Sequence, residues 1–144
     1  MIALDTNILI HAHRRDASLH EKARSNVKEL AESMRPWCVC YHSIIEFYSV
    51  VTHPKIWREP SSPEQAFAQI HVWTAAPTMR LLSDSLNTLE TVESLALTAA
   101  VRGPLIHDTR IAACCLANGV TELWTVDRDF SRFPELKTRN PLNS

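Results

Sequence analysis

The stretch Ile2-Ala3-Leu4-Asp5-Thr6-Asn7-Ile8-Leu9-Ile10 constrains the fold more than any other. An apolar run ends on a carboxylate, passes through two small polar residues and resumes as a second apolar run. A short buried strand over residues 2–5 and a helix over residues 7–14 would bury both runs and leave Asp5 at the edge of a sheet. Thr6 or Asn7 then caps the helix. In open α/β sheets the carboxyl edge of the strands is where ligands bind.

The rest of the chain repeats this alternation. Asp16-Ala17-Ser18 breaks the first helix. Leu19, Ala23, Val27, Leu30 and Met34 then recur at helical spacing until Pro36. Trp37 to Tyr41 reads as a second strand. Ser43-Ile44-Ile45-Glu46 fits a capping box that opens a helix through about Thr52, and His53-Pro54 stops it. Ser62-Pro63-Glu64-Gln65 starts another helix with proline at its first position, and Ala66, Phe67, Ile70 and Trp73 form its apolar face. Met79 to Leu82 is a third strand. Leu86, Leu89, Val92, Ala96 and Ala99 mark a helix that ends at Gly103.

Leu105 to Asp108 leads into a further helix with Ile111, Ala112, Cys115 and Leu116 facing inward, closed by Asn118-Gly119. Leu123 to Val126 is a fourth strand ending on Asp127, and a fifth falls around Lys137 to Asn140. Strands alternating with helices predict an α/β fold with a parallel sheet. At 144 residues the chain has the size of a single domain, 1–144.

Composition excludes several function classes. A net charge of −1 argues against nucleic-acid binding by bulk charge, so any such contact needs a local basic patch or a bridging metal. The two glycines, Gly103 and Gly119, both follow helical patterns where left-handed caps belong. None is left for a phosphate-cradling P-loop or a dinucleotide fingerprint.

Cys38, Cys40, Cys114 and Cys115 lack zinc spacing and read as small buried hydrophobes. His11, His13 and His107 form no nucleophile pair and no metal-spaced set. No segment approaches the roughly 18–20 apolar residues of a membrane span, and the N-terminus has no signal-peptide pattern, so a cytoplasmic protein is expected. Trp37, Trp73 and Trp124 read as core or interface residues. Trp57, in an irregular segment, is placed to stack on a base or a partner.

Each of Asp5, Glu46, Asp108 and Asp127 has an ordinary local role: helix initiation, capping or turn closure. Taken together, they fall at one end of the predicted elements. Like charges brought that close raise one another's pKa and destabilise the fold unless a cation is present. Ligation by oxygen alone suits a hard ion, Mg²⁺ or Mn²⁺. Such a site can activate water and stabilise the leaving oxygen of a phosphodiester, with one or two ions.

Asp127 and Asp129 lie two apart; Asp127 is nearer the strand, and Asp129 is either a water-mediated ligand or a turn-former. Thr6 and Thr125 either position Asp5 and the cluster or serve as a plain cap and a strand residue. Arg110 and Arg128 flank the acids and either meet substrate phosphates or form a solvated face. Arg132, Lys137 and Arg139 continue that basic stretch, and Arg14 and Arg15 form another pair.

Leu4-Asp5-Thr6-Asn7, Glu46 on its helix, Asp108 to Ala113, Thr125 to Phe130 and Asn140-Pro141-Leu142 together resemble the PIN-domain ribonucleases, in particular the VapC toxins of toxin–antitoxin systems. The resemblance implies a three-layer α/β/α sandwich with a parallel sheet of about five strands. It implies Mg²⁺- or Mn²⁺-dependent endonucleolytic cleavage of RNA, with Asp5, Glu46, Asp108 and Asp127 as the acidic quartet. It also implies a homodimer neutralised by a cognate antitoxin. Two other readings share these residues. In an aspartyl-phosphate phosphatase Asp5 would be the nucleophile, although Asn7 stands where a second aspartate belongs. A non-catalytic binding module would keep the fold alone.

Overall fold

The computed structural model describes residues 1–143. The elements in chain order are β1 (Ile2–Leu4), α1 (Thr6–His13), α2 (His20–Glu32), β2 (Trp37–Cys40), α3 (Tyr41–Val51), α4 (Pro63–Thr74), β3 (Met79–Leu82), α5 (Leu86–Thr98), α6 (Leu105–Ala117), β4 (Glu122–Trp124), a 3₁₀ turn (Arg128–Arg132) and β5 (Thr138–Arg139). Among the described residues no helix is long and apolar enough to cross a membrane.

The five strands form one parallel sheet in the order β3-β2-β1-β4-β5. β1 lies at the centre, with Ile2 opposite both Trp37 and Glu122. The two-residue period of the strands sorts side chains onto two cores. Ile2, Leu4, Trp37 and Val39 face Ile8, Leu9, Phe47 and Val51 of the α1–α4 layer. Ala3, Cys38 and Cys40 face Ile111, Ala112, Cys114 and Cys115 of the α6 layer, together with Phe130 and Phe133. This is the expected three-layer α/β/α arrangement. All four cysteines are free and buried, and burial pushes the Cys38 thiol up to about 12.

Several predicted boundaries move, each because a tertiary partner overrides a local signal. Tyr41 does not extend β2; it opens α3 directly, with Cys40 as the N-cap. The predicted capping box Ser43–Glu46 is therefore absent: Ser43 is fully buried inside the helix, and Glu46 lies exposed in its second turn. The predicted box at Ser62 and Gln65 is formed, with Pro63 at the first helical position. Phe67 and Met34 are exposed rather than packed inward. On α5 only Thr88 and Leu95 are buried; Leu86, Leu89 and Leu97 point to solvent.

The helix α5 ends at Thr98, five residues short of Gly103. The Val101 amide closes onto the Ala96 carbonyl at 2.9 Å, which puts Ala100 in the left-handed position with φ of 51°. Gly119 takes the same role after α6, where the Val120 amide reaches the Cys115 carbonyl at 3.0 Å. An alanine is strained there and a glycine is not. Ala100→Gly is therefore expected to raise stability by about 0.5–1 kcal/mol, and Gly119→Ala to lower it by about 1 kcal/mol. Midpoints of denaturant unfolding check both signs.

Candidate metal centre

The site begins at the end of β1. The Asp5 amide pairs with the Trp124 carbonyl at 2.9 Å, which continues the β1–β4 ladder by one residue. Asp5 is itself the N-cap of α1: its Oδ1 accepts from the Thr6 amide at 2.8 Å. Its Oδ2 accepts from the Thr125 hydroxyl at 2.7 Å and from the Asn7 amide nitrogen at 3.2 Å. Neither Thr6 nor Asn7 caps the helix with its side chain. Asn7 instead ties the strand ends together, with Nδ2 3.2 Å from Thr125 Oγ1 and Oδ1 accepting from the Val126 amide at 3.3 Å. Thr125 Oγ1 also accepts from the Asp127 amide at 3.0 Å, so one hydroxyl joins the two strand-end carboxylate segments. The Thr6 hydroxyl is buried and has no partner.

The other acids arrive from three further elements. Glu46 comes from α3. Asp108 lies in the first turn of α6, three residues past the helix start, so it does not open the helix as its sequence context suggested. Asp127 follows β4 and caps the 3₁₀ turn, accepting the Asp129 amide at 2.8 Å. The turn-forming carboxylate is thus Asp127, and Asp129 is the one left open.

Carboxylate oxygens of Asp108, Asp127 and Asp129 lie within 4.8 Å of one another. Oxygens on opposite sides of an ion bound at about 2.1 Å are about 4.2 Å apart, so this trio fits a single small cation. It contains no cysteine or histidine, which favours a hard divalent ion. Asp5 and Glu46 stand outside the trio, yet their charges act on it and on each other.

Those charges leave a signature. Burial raises the Asp5 carboxyl from 3.8 to about 6, against the lowering effect of its Thr125 and Thr6 hydrogen bonds; Glu46 and Asp108 add to the rise. Burial, then the neighbouring Asp127, Asp129 and Glu46, also raise Asp108. Without a cation this rim resists carrying its full charge.

The predicted cationic contacts separate into two groups. Arg110 pairs with Asp84 and lies against His42, with 40% of its side chain still exposed. Arg14 is buried, paired with Asp16 at 2.6 Å, donating to Ser61 and lying over the Trp57 ring, so neither Arg14 nor Trp57 is an open docking group. His13, expected to lack such a partner, lies 2.9 Å from the Ser61 hydroxyl, but Arg14 also donates to that oxygen and the group is a buried brace. Lys137 pairs with Glu122 at the opposite sheet edge, and Arg139 lies over Trp124. Arg128 remains exposed beside Asp127 and Asp129. Arg132 lines a cavity of about 390 Å³ with Arg102 and Asp129.

Sequence reasoning missed Asn7 as a bridge and missed His42 and Asp84 altogether. The four-residue spacing of His42 and Glu46 on a helix was a usable signal. Nothing in the sequence linked Asp84 to Arg110, 26 positions away.

A five-stranded parallel sheet with acids gathered at its carboxyl rim matches known proteins at every level compared. The PIN domain family profile matches residues 2–136. Ribonuclease VapC43 of Mycobacterium tuberculosis is 32% identical over 143 residues, covering 99% of this chain and 97% of that protein. Two solved structures share the fold. One is VapBC2 from Rickettsia felis bound to a promoter DNA fragment, with TM-score 0.72 and 19% identity over 97% of this chain and 98% of that one. The other is Mycobacterium tuberculosis VapC20, a sarcin-ricin loop cleaving toxin, with TM-score 0.67 and 16% identity over 91% and 93%. The chain belongs to the PIN-domain family, within its VapC ribonuclease branch.

The Asp5 shift has a measurable consequence in the metal-free protein. A carboxyl whose pKa is higher folded than unfolded destabilises the fold once ionised. Its contribution is fully favourable below about 3.8 and is lost as pH rises through about 6. The shift corresponds to about 3 kcal/mol. His11, His13 and His42, held below their ordinary values chiefly by burial, act in the opposite sense over the same range, so a difference is the proper reading. In chelator, wild type is expected to gain about 2–3 kcal/mol relative to Asp5→Asn between pH 7 and pH 4. Parallel unfolding curves for the two proteins would contradict it.

Proposed function

We propose that this chain is a metal-dependent endoribonuclease and the toxin of a toxin–antitoxin pair. The observation that carries the reading is the meeting of five carboxylates from four separate segments at one sheet edge, in a chain with VapC ribonuclease relatives over nearly its full length. Asp108, Asp127 and Asp129 would hold the ion, with Asp5 and Glu46 completing its surroundings. Mg²⁺ is the natural occupant for an all-carboxylate set, and Mn²⁺ a close substitute. A divalent ion there supplies positive charge to the phosphodiester oxygens and lowers the pKa of water.

The chain's own residues do the rest. Thr125, Asn7 and the Thr6 amide fix the Asp5 carboxylate in one orientation before substrate arrives. Arg128 and the Arg102–Arg132 pair offer backbone phosphates cationic partners beside the acids, which answers how a chain of net charge −1 holds RNA. The aspartyl-phosphate alternative loses ground because both Asp5 oxygens already accept hydrogen bonds and Asn7 is committed to the strand ends. The partners implied are a cognate antitoxin and a second copy of the chain. The solvent-facing Leu86, Leu89 and Leu97 of α5 support the second copy.

Purified protein is expected to cut RNA internally with Mg²⁺ or Mn²⁺ and to stop on chelation. Removal of one carboxylate, in Asp5→Asn, should slow cleavage at least about a hundredfold without unfolding the protein. Wild-type cleavage by that variant, or cleavage that survives chelator, overturns the reading. Leu89→Glu is expected to halve the particle mass seen by light scattering; an unchanged mass removes α5 from the interface.

A further inference from the structure

Glu46 is an exposed member of the acidic group, and among the described residues no backbone amide or hydroxyl holds its side chain. What faces it is His42, one helical turn earlier, with Nε2 3.7 Å from Glu46 Oε2. The other nitrogen of that ring, Nδ1, lies 3.0 Å from Arg110 Nη1. A guanidinium has donors only. Nδ1 must therefore present its lone pair, and the proton of the neutral ring resides on Nε2.

Arg110 is itself fixed, since its Nε donates to Asp84 Oδ2 at 2.6 Å. The His42 ring also lies nearly parallel to that of His107, with centroids 6.2 Å apart and planes 20° from one another. Asp84 follows β3, Arg110 sits on α6, and His42 shares α3 with Glu46. Three elements thus converge on one imidazole.

We propose that Asp84, Arg110 and His42 form a positioning relay that fixes His42 as its Nε2–H tautomer and turns a donor toward Glu46. The inference rests on the reading of Glu46 as part of the metal centre. With the opposite tautomer a lone pair would face the carboxylate, and the two would repel. With this one, the 3.7 Å gap exceeds a direct hydrogen bond. A small rotation of the exposed glutamate or one bridging water closes it. Outer partners of this kind set the orientation of metal-ligating groups, and their loss weakens metal binding about 10–100-fold. Arg110 accordingly works through His42 and Glu46, not by meeting RNA.

Two measurements on the full-length protein test the relay, and neither needs RNA. Long-range ¹⁵N–¹H correlation of the metal-free protein reads the His42 tautomer directly; Nε2–H is expected in wild type, with the Nδ1–H form gaining population in Arg110→Met. Calorimetric Mn²⁺ titration is expected to show at least about tenfold weaker binding in His42→Leu. His42→Gln, whose amide can stand in for Nε2–H, should recover most of that loss. An Nδ1–H tautomer in wild type overturns the relay. So does a leucine variant that binds Mn²⁺ like wild type, or a glutamine variant as weak as leucine. If instead the relay is intact and wild type cuts no RNA, the nuclease reading fails alone.

Discussion

The Thr125 hydroxyl donates to Asp5 Oδ2 at 2.7 Å across two neighbouring strand ends, and much of the molecule is arranged to make that contact possible. Both residues are pinned by sheet hydrogen bonds, Asp5 to Trp124 and Thr125 to Arg139. Both are nearly inaccessible to water, at 7% and 3% exposure. A carboxylate in that position is costly, and its pKa records the cost. The hydrogen bonds from Thr125, Asn7 and Thr6 offset part of it by favouring the ionised form. What they leave over is a standing demand for positive charge at the rim. In the metal-free fold the rim therefore carries negative charge that its own hydrogen bonds only partly offset.

Topology explains why the acids meet there. The chain leaves β1 toward β2 and β3 through helices α1–α4 on one face, then crosses to β4 and β5 through α5 and α6 on the other. Right-handed crossovers in opposite directions put their helices on opposite faces. The strand order reverses between β1 and β4, and in open α/β sheets such a switch point is where ligands bind, beyond the carboxyl ends of the strands. Asp5 and the Asp127–Asp129 turn sit on its two sides. Asp108 enters from the first turn of α6, where the helix dipole favours a carboxylate. Glu46 enters from α3, which begins immediately after the strand next to β1.

Much of this was legible from the letters. Alternating apolar runs and helical stripes disclosed all five strands, including the short β5, and Pro63 with Ser62 marked a helix start that depends only on local chemistry. The residues that failed were those whose role depends on a distant partner. Ser43 and Glu46 have the letters of a capping box, but the chain enters α3 from β2 without a loop and buries Ser43. Arg14 and Arg110 look like free cations in one dimension; Asp16, Ser61, Asp84 and His42 claim them in three. Asp127 and Asp129 could not be told apart until the 3₁₀ turn assigned the backbone contact to Asp127. Ala100 stands where glycine was expected, because α5 ends where its own carbonyls can be closed and not where the next glycine falls.

The central claim is that one cation resides where these carboxylates converge. Anomalous diffraction from crystals grown with Mn²⁺ tests it most directly. The expected result is a single strong peak within coordination distance of Asp108, Asp127 and Asp129, facing Asp5 and Glu46, that vanishes in an Asp108→Asn crystal. A rim with no peak at saturating Mn²⁺, or an ion bound only elsewhere on the surface, would contradict it.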